Sequence, residues 1–366
     1  MDRTIHILGL GNIGKYIAHG LIRGARQQGA SPAASCRKPT VTLLFHRPGM
    51  LDEWEKASYA IDSTTLETAS SQSSNSSVVK STHAQGFHVE LLNAGETTPI
   101  KNLIVATKTY TTTSALAPLR HRLGRDSHIL FVQNGMGVTD DVSSQLFPDP
   151  ATRPTYWAGI CSAGVYSQGP FSIIHAGRGP LRFGMVQSLS DGHAESETSG
   201  SKRTSNALLD ALLDADILQP ELLTPTQILE AQLEKLVINS VINPLTALKG
   251  CKNGEVFNGQ DGDSDCRVLV HEAGAIVREL LRRRSAGATK DSSTGRDFSD
   301  SALLEAVRRV ASATAGNTSS MLQDVRAGRE TEIDFINGYL VRQAEVLGLP
   351  CERHKELVAR VKEMRG

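Results

Sequence analysis

The sequence predicts an α/β chain in two parts: an N-terminal domain built on a mostly parallel sheet, then an all-helical C-terminal domain. Three observations predict it. The chain opens as strand, glycine turn, helix. Later apolar, β-rich runs each empty into a polar loop, and beyond residue 203 apolar residues recur at helical spacing instead of in short blocks. At 366 residues the chain exceeds one ordinary core, so two domains are expected, 1–203 and 204–366.

Composition narrows the function classes. Lys and Arg total 39, as do Asp and Glu, so the net charge is zero. That removes the electrostatic footprint of a nucleic-acid binder and of a polybasic membrane-surface protein, so neither is an expected partner. No apolar run reaches the roughly 18–20 residues needed to cross a bilayer. Met1-Asp2-Arg3-Thr4 leads straight into a strand-like segment, which leaves no room for a signal or transit peptide and suggests a cytoplasmic protein. The five cysteines (36, 161, 251, 266 and 351) are odd in number, scattered and never in C-x-x-C. Reduced thiols are the plain reading, and no metal is expected.

Thr4-Ile-His-Ile-Leu8 is the first strand, and Lys15 to Ile22 reads as the helix after it. Between them stand Gly9, Leu10, Gly11, Asn12, Ile13 and Gly14, a G-x-G-x-x-G junction. The first glycine permits the tight turn, the second lets backbone approach a pyrophosphate, and the third allows close helix–sheet packing. The helix N-terminus then offers N–H groups to the anion, as in a Rossmann-type dinucleotide site. A glycine-rich turn with no ligand is the plainer alternative. The next strand, Val41–Phe45, ends in His46-Arg47-Pro48-Gly49 with no acid until Asp52. An acid there would bond a ribose 2′-OH, whereas Arg47 suits a 2′-phosphate, so NADP is the expected cofactor unless Arg47 is only a solvated loop residue.

Ser63 to Thr82 is Ser/Thr-rich and reads as a mobile surface insertion. His88 to Leu92 looks like a strand. Lys101–Ala106 and Ser127–Val132 look like buried parallel strands, emptying into Thr107-Lys108 and Gln133-Asn134. Ligands of open α/β sheets bind outside the carboxyl ends of strands, which makes Lys108 and Asn134 candidates. Thr155 to Met185 alternates β-branched and aromatic residues around turn pairs and reads as antiparallel strands extending the sheet.

Helices are expected at Ala207–Ala215, Thr226–Val241, Arg267–Arg284, Ser301–Leu322 and Glu332–Leu347. The second of these carries Lys235 and Asn239 one turn apart, beside a Leu/Val/Ile face, with Asn243 a further turn on. Such a stripe either satisfies a polar core network or faces a ligand. Pro244 biases Asn243 away from helical geometry. Ser320 lies in a polar stretch, and Thr331, Glu332 and Asp334 resemble ordinary N-terminal caps and first-turn acids.

Taken together, Gly9–Gly14, Gln133-Asn134-Gly-Met-Gly137, Lys235-Leu-Val-Ile-Asn239-Ser-Val-Ile-Asn243-Pro-Leu-Thr-Ala247, Ser319-Ser320-Met-Leu-Gln-Asp and Thr331-Glu332-Ile-Asp-Phe-Ile-Asn-Gly338 resemble ketopantoate reductases (2-dehydropantoate 2-reductases). The likeness runs to about Gly348, interrupted by insertions at 24–39, 63–82, 187–203 and 285–298. It implies NADPH on the glycine turn, a 2-oxo acid in the cleft between two domains, and a monomer or homodimer. It also implies roles: Lys235 as general acid, Glu332 on the substrate hydroxyl and Ser320 on the substrate carboxylate. Asn239 and Asn243 would line the substrate site, and Asn134 would touch cofactor and substrate. Lys108 would lie near the cofactor, with Arg47 on its 2′-phosphate. The first insertion lengthens the chain between Gly14 and Arg47. Two other readings stay open: a reductase of this fold acting on another 2-oxo acid, and a non-catalytic NADP sensor, which would need the glycine turn but no proton donor.

Overall fold

The structure, a computed structural model, describes residues 3–24, 38–67, 78–92, 95–186, 206–259, 262–285 and 296–364. The insertions at 24–39 and 285–298 lie largely, and that at 187–203 wholly, outside the described residues. The chain divides into two compact units, one ending at Ile228 and the other comprising Asn134–Thr139 and Leu229–Gly366.

In the first unit the strands are β1 (Thr4–Leu8), β2 (Thr40–Phe45), β3 (Ile61–Glu67), β4 (Val78–Ala84), β5 (His88–Leu91), β6 (Asn102–Val105), β7 (His128–Phe131), β8 (Thr155–Cys161), β9 (Gly164–Gly169), β10 (Ser172–Gly177), β11 (Leu181–Met185) and β12 (Pro220–Leu222). Eight of them form one sheet in the order β12-β11-β8-β7-β6-β1-β2-β5. From β5 to β8 every pairing is parallel. Parallel neighbours demand crossovers and cover on both faces, which is why Ile5, Ile7, Leu103, Ile104 and Val105 are all fully buried. The chain winds from β1 to β2 on one side and returns to place β6 on the other. That reversal makes the carboxyl ends of β1 and β6 a topological switch point.

Two expectations about strands need correction. The 155–185 region does not simply extend the sheet with antiparallel strands. β8 adds parallel to β7 and β11 pairs antiparallel with β8, while β9 and β10 leave to build a four-stranded sheet in the order β4-β3-β10-β9. Nor is 63–82 simply a surface insertion, because β3 and β4 pair antiparallel across it from Ile61↔Ala84 to Glu67↔Val78. Their Thr residues favour strand, and Ser63 is buried against this second sheet. Residues 68–77 are not described.

Helices α1 (Asn12–Arg23), α2 (Gly49–Lys56), α3 (Thr112–Leu116), α4 (Val138–Leu146) and α5 (Ala207–Leu213) precede the long α6 (Pro225–Lys249), inside which the division between the units falls. The expected boundary at 203/204 therefore lies ahead of α5 and β12, which pack with the first unit.

The second unit is helical: most of α6, then α7 (Gly262–Ser285), α8 (Asp300–Ala313), α9 (Ser320–Arg326), α10 (Asn337–Leu347) and α11 (Glu352–Glu363). Its core gathers Leu236, Val237, Val241, Leu245, Leu269, Val277, Leu340 and Leu357. The expected single helix over 301–322 is two, because Ser319 caps a new start by accepting from the Leu322 N–H at 3.1 Å. The described cysteines are free thiols, and burial pushes Cys266 and Cys351 up to about 12, which makes them poor nucleophiles. No helix among the described residues is long and apolar enough to cross a membrane.

Candidate active site

In the first unit the candidate site is made of backbone. Gly9 has φ +94, and a Cβ there would lie 2.5 Å from the Thr107 nitrogen at the end of β6. At Gly14 a Cβ would come 1.9 Å from the Gly9 oxygen, so helix and turn close on each other only through two glycines. Gly11 differs. A Cβ there would meet nothing nearer than the Ala106 oxygen at 4.0 Å, and Gly11 caps α1 without a side-chain bond. Gly11 itself thus offers the first-turn N–H groups no capping side chain, an arrangement that fits a pyrophosphate lying on the turn. Leu10, Asn12 and Ile13 are half-buried around it.

Register Leu8↔Leu44 aligns β1 and β2, so Arg47 leaves the sheet one strand over from Gly9. Its guanidinium is half exposed and donates to Glu53 Oε1 at 2.7 Å. Exposed pairs of this kind are weak and exchange readily for a stronger anion. Lys108 is half-buried just past β6, and its carbonyl accepts from the Thr111 and Thr112 hydroxyls at 2.9 and 3.1 Å. Sequence reasoning missed a hydroxyl–amide chain that fixes these exits: Thr107 and Thr112 hydroxyls 2.9 Å apart, with Gln133 Nε2 donating to Thr112 at 2.9 Å. Nothing local signals it, since the partners lie on separate strand exits.

In the second unit the site is made of side chains. Lys235 and Asn239 are half-buried on α6, and Asn243, 7% exposed, takes the same stripe into the core. The helix continues through Pro244, contrary to the bias expected at Asn243. Glu332 is 6% exposed and, although it sits at the N-cap position of a 3-10 turn over Ile333–Phe335, its carboxylate caps nothing there. It accepts instead from Asn134 Nδ2 at 3.4 Å. Thr331 is buried, and Asp334 binds Lys362 at 2.7 Å. The reading of Glu332 as an ordinary helix cap therefore gives way to a buried carboxylate facing an amide.

Asn134 is held in place by its own loop. Gly135 has φ +84, and a Cβ there would strike the Phe335 oxygen at 2.4 Å, while the Met136 N–H donates to that oxygen at 2.8 Å. The Ser319-Ser320 pair divides its work. Ser319 is buried, caps α9 and accepts the Thr246 hydroxyl of α6 at 2.7 Å. Ser320, the first helical residue, is exposed and free of that structural duty. The structure thus brings Asn134 and Glu332 together, and ties the serine pair to the helix that carries Lys235 and Asn239. No cluster of three or more His, Cys, Asp or Glu that could hold a metal occurs among the described residues.

Comparison with known proteins places the chain in a family. Residues 5–188 match the family model for ketopantoate reductase PanE/ApbA, and residues 227–365 match the model for its C-terminal domain. The chain belongs to the ketopantoate reductase family. It is 34% identical to a probable 2-dehydropantoate 2-reductase of Schizosaccharomyces pombe over 73% of this chain and 75% of that one. A ketoisovalerate reductase of Beauveria bassiana is 27% identical over 99% of this chain and 83% of its own. Among solved structures, D-mandelate dehydrogenase with NADH and anilino(oxo)acetate shares the fold, with a TM-score of 0.73 at 16% identity, covering 99% of this chain and 98% of that one.

Proposed function

We propose that the chain is a cytoplasmic 2-dehydropantoate 2-reductase that uses NADPH to reduce the 2-oxo group of ketopantoate, giving pantoate. The observation that carries this reading is Glu332, a carboxylate 6% exposed that accepts from Asn134 Nδ2 at 3.4 Å in the unit that also carries the Lys235–Asn239 stripe. A non-catalytic sensor of the cofactor has no use for such a set.

NADPH, when bound, supplies the hydride that reduces the 2-oxo carbon. Negative charge then develops on the carbonyl oxygen and needs a proton. Lys235 is the proposed donor: an ammonium is a far stronger acid than the alcohol being formed, so the transfer is downhill. Its charge also stabilises the developing alkoxide before the proton moves. Glu332 accepts the substrate hydroxyl. Ser320 and Asn239 donate to the substrate carboxylate, Asn243 lines the same stripe, and Asn134 contributes its amide to substrate and cofactor. The Gly9–Gly14 turn would hold the cofactor pyrophosphate, with Lys108 at the strand exit, and Arg47 would leave Glu53 to hold the 2′-phosphate.

A second reading, reduction of 2-ketoisovalerate, is favoured by the likeness to the Beauveria bassiana enzyme. Ketopantoate has a hydroxyl that 2-ketoisovalerate lacks, and a buried carboxylate such as Glu332 is an acceptor for it. A site built to bond that hydroxyl discriminates strongly against the analogue without it. Comparison of kcat/KM for the two acids decides the question. Ketopantoate is expected to win by at least about tenfold, and a preference for 2-ketoisovalerate would overturn the substrate assignment while leaving the reaction type intact.

A further inference from the structure

Pro244 stands inside α6 and has no N–H, so the Ser240 carbonyl one turn earlier loses its helical donor. Ser240 is fully buried, and a bare carbonyl there would be costly. Asn337, the first residue of α10 and also fully buried, supplies the missing donor: its Nδ2 lies 2.9 Å from the Ser240 oxygen. The same amide nitrogen lies 2.9 Å from His354 Nδ1 on α11. His354 Nε2 in turn lies 3.0 Å from the Leu269 oxygen on α7. A carbonyl only accepts, so Nε2 carries the proton and Nδ1 receives the second amide N–H. Burial lowers the His354 pKa and keeps this neutral tautomer. Asn337 Oδ1 is buried with no hydrogen-bond partner among the described residues, so this side chain acts through its two N–H groups.

The place of this bond matters more than its strength. Ser240 follows Asn239 directly, and Pro244 follows Asn243 directly, so the interrupted rung lies within the polar stripe of α6. Asn337 stands on the segment that carries Glu332. We propose that Asn337 is a positioning residue: by completing the rung that Pro244 breaks, it locks the Lys235–Asn243 stripe to the Glu332 segment, with His354 orienting its amide. The role rests on the reading of Lys235, Asn239 and Glu332 as the reacting site.

Pro244→Ala provides the test, because it returns an N–H to the Ser240 carbonyl. In the otherwise native chain, Asn337→Leu is expected to lower kcat for ketopantoate reduction by about 10- to 100-fold, the scale of a small misplacement of a catalytic group. NADPH affinity should stay unchanged, and hydrogen exchange over residues 235–243 should quicken. In the Pro244→Ala background the same substitution should change kcat and exchange by less than about threefold, as expected when the coupled partner has been replaced. A loss of equal size in both backgrounds overturns the proposal, as does unchanged kcat and exchange in Asn337→Leu. If the native chain reduces neither ketopantoate nor 2-ketoisovalerate, the functional reading fails, while the exchange comparison still decides the positioning role. Asn337→Ser, too short to reach both acceptors, replaces Asn337→Leu with the same expectations if the leucine variant does not fold.

Discussion

The Gly9–Gly14 turn and helix α6 both set polar groups beside an apolar core, but they use different parts of the residue. The turn offers backbone N–H groups and depends on what its residues lack: a Cβ at Gly9 or Gly14 would collide with backbone, and one at Gly11 would stand in open space. Helix α6 offers side chains, and its backbone spaces them a turn apart. A backbone site is specified by local geometry and tolerates little substitution. A side-chain site needs distant partners, such as Asn134 for Glu332 and Asn337 for Ser240, to hold it. Damage to the turn should therefore appear in cofactor binding and stability, and damage to the α6 stripe in turnover.

The largest effect expected from that contrast is at Lys235. Lys235→Ala should cut ketopantoate turnover by about a thousandfold, within the usual range for a general acid, while NADPH binding measured by fluorescence survives. Near-normal turnover in that variant would sink the assignment. Next in size is Arg47, the side chain proposed for the 2′-phosphate. Arg47→Gln should lower the preference for NADPH over NADH by about 10- to 100-fold through loss of a charged bond to the 2′-phosphate. Folding stability should hardly move, since the Glu53 partner is itself partly exposed. An unchanged cofactor ratio of kcat/KM would remove Arg47 from the site.

These two regions also differ in how far the sequence revealed them. Strand β1, the glycine turn and α1 were legible because their signals are contiguous and local. The stripe on α6 was visible as a pattern but undecided, since spacing alone does not say whether Lys235 faces a ligand or a core partner. Pro244 biases Asn243 away from helical geometry, yet α6 continues through it, and the lost rung is filled from 97 residues away. Tertiary donors of this kind overrule a local rule and leave no trace near the proline. The Ser/Thr-rich 63–82 tract misled in the same way: β3 gains its place by pairing with β10, which its own composition does not announce. The resemblance marks Ser320 as a candidate, while the structural duty of its neighbour Ser319 emerges only from the Thr246 contact.

Within the turn, two glycines separate binding from folding. Gly11→Ala should weaken NADPH binding by at least about tenfold through the lost approach to the pyrophosphate. Its effect on the cofactor-free protein should stay within about 0.5 kcal/mol, because the new methyl group meets open space. Gly14→Ala should instead destabilise the cofactor-free protein by about 1–3 kcal/mol, the cost of forcing atoms into packed backbone. Denaturant titrations of both variants, with and without NADPH, measure the difference. Equal loss of stability in the two would mean that the turn is a packing device and no more.

The smallest effect concerns the residue just after the turn. Lys15 is 3% exposed, its Nζ lies 3.0 Å from the Gly169 oxygen and 3.4 Å from the Ser167 hydroxyl, and burial pushes its pKa down to about 8. Among these contacts its partners are uncharged, so the buried ammonium costs stability while it persists. The sign follows from proton counting. Between about pH 8 and 10.5 the unfolded chain holds this proton and the folded chain has released it, so stability gains a rising contribution with pH through that window, at most about 1.4 kcal/mol per pH unit. Below about pH 8 both forms are charged and the contribution is flat. Lys15→Met removes the titrating group, so the difference in unfolding free energy between Lys15→Met and the native chain should narrow as pH rises from 8 to 10. A difference that stays constant over that range would show that Lys15 keeps its proton and that the carbonyls of the β9–β10 turn suffice to hold the charge.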